Sequence, residues 1–361
     1  MKVYPYGHDF GNAEMDGAIM VKGQPSARSI PTAFVKTNKA AMKGLGVEVD
    51  KNSAFVMQFE GEEGAYAIGE LALSQSRDPW NGRGDIERYA SQYALRGMLT
   101  IASTLLTDKE FGLYVVGGLP AETYIKNPGL RKQIKKALDG TYRFTVDAGK
   151  TWRTATIEVA NVVMEGAGAL IAYGDKNAAN RANESAVIDI GGRTTDLYVA
   201  RGQVPVTEYC KGKPLGVETA TAAFMEAFEN NHNLPLSLLQ ARQVMYAYAS
   251  GRKKAYPEIS VSGQDVEQPE LERLVKEAVK TTADDIVSFV ASTWRQGDSG
   301  VVAGTFKPVL CIGGGYYYFY EAVKRRIKHL EYPEHPESAN VVGYATLAAR
   351  MYAKRQAETT A

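Results

Sequence analysis

Asp189-Ile-Gly-Gly-Arg-Thr-Thr-Asp196 is the stretch on which the fold turns. It closes the apolar run that begins at Ala186, so an aspartate ends a strand and two glycines open a turn behind it. Glycine lets the backbone approach phosphate oxygens and aim its amides at them, while a strand-end carboxylate can orient a hydrated magnesium ion. A similar turn, Asp9-Phe-Gly-Asn12, lies near the start of the chain, and Ile312-Gly-Gly-Gly315 follows another apolar stretch. Together the three runs read as a nucleotide clamp with one jaw from each half of the chain.

The 361 residues suit two domains or two halves of a duplicated fold. With 45% hydrophobic residues, 23% charged residues and a net charge of +1, neither disorder nor a strongly nucleic-acid-binding surface is implied. The opening Met1-Lys-Val-Tyr-Pro-Tyr6 lacks the apolar core of a signal peptide, and no run approaches the ~18 apolar residues of a membrane span, so a cytoplasmic location is expected. Cys210 and Cys311 are the only cysteines, which argues against a disulfide framework; Cys311 reads as a small buried thiol. His8, His232, His329 and His335 show no paired ligand spacing, which argues against structural zinc. Arg83-Gly84-Asp85 spells an adhesion tripeptide, a string too short to carry weight.

Around the first turn, residues 2–8 and 17–22 read as a hairpin, with Pro5 a poor strand residue. Residues 36–75 form a strand-rich outcrop, Ser74 to Asp85 a loop, and 86–106 a helix. Phe111 to Val116 is a buried strand, and Asn127-Pro128 reads as a helix cap followed by proline at the first helical position. Strands at 142–146 and 154–159, a small-residue helix from about 166 to 173 and a strand at 186–189 complete an alternating α/β half. The second half repeats this logic with strands at 197–200 and 204–209 and helices beginning near Leu215, Ser237 and Pro269. A second outcrop spans 251–268. The final helix, about 341–354, carries Gly343 and Ala345, small enough for close packing on another helix; the tail after Arg355 reads as solvated and mobile.

The succession of the Asp9 turn, the Glu165-Gly-Ala-Gly-Ala169 helix, the Asp189 turn, the Gly313 triplet and the Gly343 helix resembles the actin superfamily of ATPases over nearly the whole chain. Ile30-Pro-Thr-Ala-Phe34, Gly118-Leu-Pro-Ala-Glu122, Pro214-Leu-Gly-Val217 and Ile312-Gly-Gly-Gly315 resemble the plasmid-segregation actins of the ParM or StbA type. The resemblance implies an α/β, actin-like (ribonuclease H-like) duplicated fold, with mixed five-stranded sheets flanking a nucleotide cleft and a small peripheral subdomain on each domain. It implies a first domain at 1–165 (subdomain about 36–75), a second at 166–340 (subdomain about 214–285) and a C-terminal helix, 341–361, packing back on the first.

Hydrolysis of a phosphoanhydride needs neutralised phosphates and an aligned water more than covalent help. Asp9 and Asp189 would hold waters on magnesium, with Asp189 also orienting the attacking water; the plainer reading is two turn-capping aspartates. Gly11, Asn12, Gly191, Gly192, Thr194 and Thr195 would line the phosphates, Asn12 through its amide. By resemblance, Glu165 helps polarise water, although a glutamate at a helix N-terminus is also favourable on its own. Gly216 belongs to the nucleotide site by the same resemblance. Gly313, Gly314 and Gly315 would let adenosine rest against backbone, with Tyr316 or Tyr317 near the base and Arg242 in the region of ribose and adenine. Most of the Tyr316 to Tyr320 run and the Arg242 helix face have plainer readings as packing and solvated surface. Arg193 is open between a phosphate and solvent.

The function so implied is an ATPase using ATP (or GTP) with Mg2+. Its partner is itself, in a filament that hydrolysis weakens, serving plasmid or DNA segregation through a DNA-binding adaptor, without direct nucleic-acid or membrane contact. A small-molecule kinase and a non-polymerising ATP-binding scaffold are the alternatives.

Overall fold

The computed structural model describes residues 1–37, 54–76, 78–82, 86–176, 184–202, 204–251, 255–296 and 301–360. The adhesion tripeptide and part of each expected outcrop lie outside these residues. Two compact units emerge, one formed by Met1–Ala179 with Ser338–Ala361 and the other by Asn180–Glu337.

The first unit opens with β1 (Lys2–Asp9), β2 (Glu14–Val21), β3 (Gln24–Pro31) and β4 (Phe34–Thr37), then β5 (Phe55–Phe59), β6 (Ala65–Ile68) and α1 (Glu70–Gln75). After α2 (Gln92–Leu105) come β7 (Glu110–Leu119), α3 (Ala121–Lys126), α4 (Leu130–Leu138), β8 (Gly140–Thr145), β9 (Arg153–Met164) and α5 (Ala167–Lys176). Strands β3-β2-β1-β7-β9 form a five-stranded mixed sheet, which β8, β5, β6 and β4 extend to nine. β1, β7 and β9 run parallel, so their carboxyl ends share one edge of the sheet.

Local chemistry accounts for three departures from the sequence reading. Residues 86–106 do not form one helix: Ser91 caps α2 by accepting from the amides of Tyr93 and Ala94, leaving Ile86–Ala90 as a separate 3-10 turn. Asn127 does not cap the following helix; it ends α3, its Nδ2 donating to the Thr123 carbonyl at 3.0 Å, and α4 starts after Gly129. Pro5 leaves β1 intact: it stays in register with Tyr114 of the parallel β7, while the pairing with β2 begins only at Tyr6.

His8 sits on β1, fully buried, its ring edge-on to Phe10 at 4.5 Å. Burial pushes its pKa down to about 3, with the Asp16 backbone opposing in part. The unfolded chain, titrating near 6.5, therefore binds a proton that the fold refuses, and stability falls as pH drops below about 6.5. From pH 6.5 to 5 this amounts to about 2 kcal/mol. The urea midpoint measured with chelator present is expected to fall over that range in the native chain and to flatten in His8→Gln; parallel slopes would contradict the assignment.

The second unit carries β10 (Glu184–Ile190), β11 (Thr195–Arg201), β12 (Val204–Pro205), β13 (Lys211–Lys213), α6 (Val217–His232) and α7 (Leu238–Ala249). The short pairs β14 (Ser260–Val261) with β15 (Gln264–Asp265) and β16 (Arg295–Gln296) with β17 (Val301–Val302) flank the long α8 (Gln268–Trp294), followed by β18 (Val309–Ile312), α9 (Tyr316–Arg326) and β19 (Leu330–Glu331). The sheet runs β12-β11-β10-β18-β19, with β13 also on β11. β10 and β18 are parallel and nearly continuous in apolar residues, as strands covered on both faces must be. Phe224, Phe228, Val275, Ile286, Trp294 and Phe319 supply the helical side of this core. The strand expected over 204–209 stops at Pro205, which brings no amide to continue the ladder; Thr207–Tyr209 form a 3-10 turn.

The chain returns to the first unit as α10 (Ala339–Thr360). A Cβ on Gly343 would lie 1.8 Å from the Gly168 carbonyl oxygen, which shows how closely α10 crosses α5. The tail after Arg355 is helix rather than mobile coil. Arg355 Nη1 reaches Glu158 at 2.6 Å on β9, and Lys354 and Glu358 pair along the helix. No described helix is long and apolar enough to cross a membrane.

Candidate nucleotide site

The two hairpins share one design. β1 runs antiparallel to β2 and parallel to β7, with Asp9 opposite Asp16; β10 runs antiparallel to β11 and parallel to β18, with Asp189 opposite Asp196. Both turns read Asp-x-Gly-x-x-x-x-Asp. The second aspartate of each pair was missed as a signal of duplication. Each first aspartate ends at the carboxyl edge of parallel strands, the edge where open α/β sheets bind ligands.

In the first unit, Asp9, Gly11 and Asn12 lie at the edge formed by β1, and Glu165 follows β9 on that same edge, two residues before α5. Glu165 is buried, its amide donating to the Leu119 carbonyl at 2.8 Å. Asn340 of α10, which the sequence reading passed over, accepts from the amides of Gly166 at 3.0 Å and Ala169 at 3.4 Å, tying the start of α5 to the C-terminal helix. Thr32 and Arg88, also missed, donate to the Gly11 carbonyl at 2.9 and 3.4 Å.

In the second unit, the Asp189 turn is closed by the Gly191 amide donating to Thr194 O at 2.9 Å. The N-terminus of α6 seats on this turn, Val217 N donating to Gly191 O at 3.2 Å and Glu218 N to Gly192 O at 2.6 Å. Gly216 makes that seat possible, since a Cβ there would come within 2.6 Å of both carbonyl oxygens. Gly191, Gly192 and Thr194 keep partial exposure. Thr195 does not: it is fully buried and its hydroxyl donates to Leu215 O at 2.7 Å, so it anchors the turn from beneath instead of lining phosphates. Arg193 pairs with Glu218 at 2.7 Å in the first turn of α6.

The glycine triplet meets the same turn. Gly313 has φ +83, and a Cβ on it would stand 2.4 Å from Ile190 O and 2.5 Å from Asp189 Oδ1. Gly315 N donates to Ile190 O at 2.7 Å. Gly314 has nothing within 4 Å of the position a Cβ would take. Tyr316 packs into a ring cluster with Tyr320 at 5.0 Å and Tyr332 at 4.7 Å, which suits it to packing rather than to a base contact. Tyr317 is 51% exposed, with its hydroxyl donating to Glu337 at 2.8 Å; burial and then that carboxylate push its pKa up to about 12. Arg242 on α7 lies within electrostatic reach of Tyr318 in the first turn of α9, its charge offsetting part of the rise that burial imposes on the Tyr318 hydroxyl.

The second unit thus gathers Asp189, Gly191, Gly192, Thr194, Gly216 and Gly313 to Gly315, with Tyr317 two residues beyond the triplet. Among the described residues no three His, Cys, Asp or Glu side chains converge on one point. Gly314→Ala fills open space at ordinary backbone angles; it is expected to leave the melting temperature unchanged while weakening ATP binding roughly tenfold, about 1.4 kcal/mol, as measured by calorimetry. Unaltered affinity would place the ligand elsewhere.

Residues 7–168 match the family of actin-like proteins, N-terminal domain, and residues 187–325 match the archaeal actin homologue MreB-like C-terminal domain. The chain belongs to the actin superfamily. Solved actin-superfamily structures share its architecture. The archaeal actin homologue Ta0583 is 19% identical, with a TM-score of 0.72 over 97% of this chain and 100% of that one. ParM from a 15-stranded Clostridium botulinum filament is 19% identical, with a TM-score of 0.74 over the same shares. Alp7A, an actin-like protein, is 19% identical, with a TM-score of 0.72 over 98% of each chain. At such identities the likeness is one of fold. No curated protein matches the sequence.

Proposed function

We propose that this actin-superfamily chain binds Mg-ATP (or Mg-GTP) through its Asp9 and Asp189 turns, hydrolyses it, and assembles with copies of itself into filaments that hydrolysis weakens. The observation that carries the proposal is the meeting of the Asp189 turn with the glycine triplet: two backbone turns and a carboxylate converge at a strand edge, with open space over Gly314. Ta0583 has been solved in complex with ADP, and ParM as a filament, which supports the same reading here.

In this reading Asp9 and Asp189 would hold the waters of a hydrated magnesium ion, a cation that keeps several waters and binds through one or two carboxylates plus phosphate oxygens. Bound there, the metal would neutralise phosphate charge. Gly11, Asn12, Gly191, Gly192 and Thr194 offer the phosphates backbone and side-chain donors, Asp189 and Glu165 orient the attacking water, and Gly216, Gly313 to Gly315, Arg242 and Tyr317 receive the nucleoside. Plasmid or DNA segregation in the cytoplasm, with a DNA-binding adaptor, is the role proposed for such filaments.

Phosphate release from Mg-ATP, followed with no added acceptor at rising protein concentration, tests this. A rate per chain that climbs above a threshold concentration is expected. Turnover only when a small-molecule acceptor is supplied would favour a kinase, and none under any condition would favour a scaffold.

A further inference from the structure

Behind the first turn, the Ile30-Pro-Thr-Ala-Phe34 motif meets an arginine 77 positions away from Gly11. Thr32 is buried and grips the turn twice: its Oγ1 donates to Gly11 O at 2.9 Å and its amide to Ala13 O at 2.8 Å. Arg88, 7% exposed, brings Nη1 to Gly11 O at 3.4 Å while its guanidinium lies over the Tyr89 ring at 4.0 Å. Its Nη2 is buried with no hydrogen-bond partner among the described residues. A buried cation with one donor unmet is a costly way to fill space that an apolar side chain would fill more cheaply. Its hydrogen bond to the turn gives that cost a purpose.

We propose that Thr32 and Arg88 are positioning residues for the first phosphate turn, an inference that rests on the nucleotide reading above. The Gly11 carbonyl and the Asn12 amide belong to one planar trans peptide and point in opposite directions. Two donors holding the carbonyl therefore turn the Asn12 N–H away from Thr32 and Arg88, toward the side on which phosphates bind. The Ala13 contact fixes the Ala13–Glu14 peptide, two units further on, as well, so the turn is held at both ends before nucleotide arrives and pays less ordering entropy on binding. Only glycine fits at the centre of the turn, because a Cβ on Gly11 would stand 1.9 Å from Glu14 O.

The contacts concern phosphates and not the nucleoside, which yields a readout that a general loss of structure would not give. In calorimetric titrations of the full chain, Thr32→Val and Arg88→Met are each expected to weaken Mg-ATP binding about tenfold while AMP binding stays within about twofold; Thr32→Ser, which keeps the hydroxyl, is expected to stay near the native value. ATP and AMP affinities that fall together, or Thr32→Val and Arg88→Met binding both as the native chain does, would overturn the positioning role alone. A native chain that binds no ATP would overturn the nucleotide reading and this inference with it. Should Arg88→Met fail to fold, Thr32→Val, which changes one hydroxyl for a methyl, decides the question.

Discussion

Replacing Asp189 with asparagine is expected to lower ATP turnover by about 10²–10³-fold while the second unit stays folded. The substitution keeps the shape of a side chain that is 9% exposed and closely faced by Gly313, so packing changes little. It removes the negative charge that would order waters on magnesium and align the attacking water, and it offers an amide donor where an acceptor is needed. Glu165→Gln supplies the contrast. Its backbone remains tied by Leu119 and its neighbours by Asn340, so nucleotide affinity should hold while hydrolysis slows. Single-turnover phosphate release together with calorimetric nucleotide binding separates the two effects. Near-normal turnover in both variants would refute the roles given to them.

Gly343→Ala should be the most damaging single methyl in the first unit. The added Cβ would meet the carbonyl oxygen, carbonyl carbon and Cα of Gly168 at 1.8, 2.3 and 2.6 Å, and all three are backbone atoms that no rotamer change can move. Separating α5 from α10 would cost about 3 kcal/mol. For a cooperative unit of this size, that lowers the melting temperature by roughly 6–12 °C. Gly129→Ala, with nothing within 4 Å and ordinary backbone angles, is the matched control and should be neutral. Equal melting temperatures for the two variants would mean that the helices do not cross as closely as described.

Gly343 also shows what kind of information a sequence carries. A small residue early in a helix signals close packing without naming the partner, and Gly168 could be found only in three dimensions. The Asp189 turn was legible because aspartate, glycine and strand all act within a few residues of one another. Thr195 was misread because its placement depends on register: it pairs across the hairpin with Ile190 and, on its other side, with Lys213, which sends its hydroxyl beneath the turn to Leu215. Arg193 and Arg88 share a second limit. The carboxylate and the carbonyl they reach, on Glu218 and Gly11, are 25 and 77 positions away, beyond any local pattern. Asn127-Pro128 failed for a third reason, since a cap residue reads alike at the end of one helix and the start of the next.

The central claim, that nucleotide drives this chain to assemble, is tested most directly by right-angle light scattering of the purified protein on addition of Mg-ATP. Mg-ADP serves as the control, across a series of protein concentrations. A rise with Mg-ATP that appears only above a critical concentration, and decays as phosphate is released, is the predicted result. A flat trace at every concentration, from protein shown in parallel to bind ATP, would contradict it.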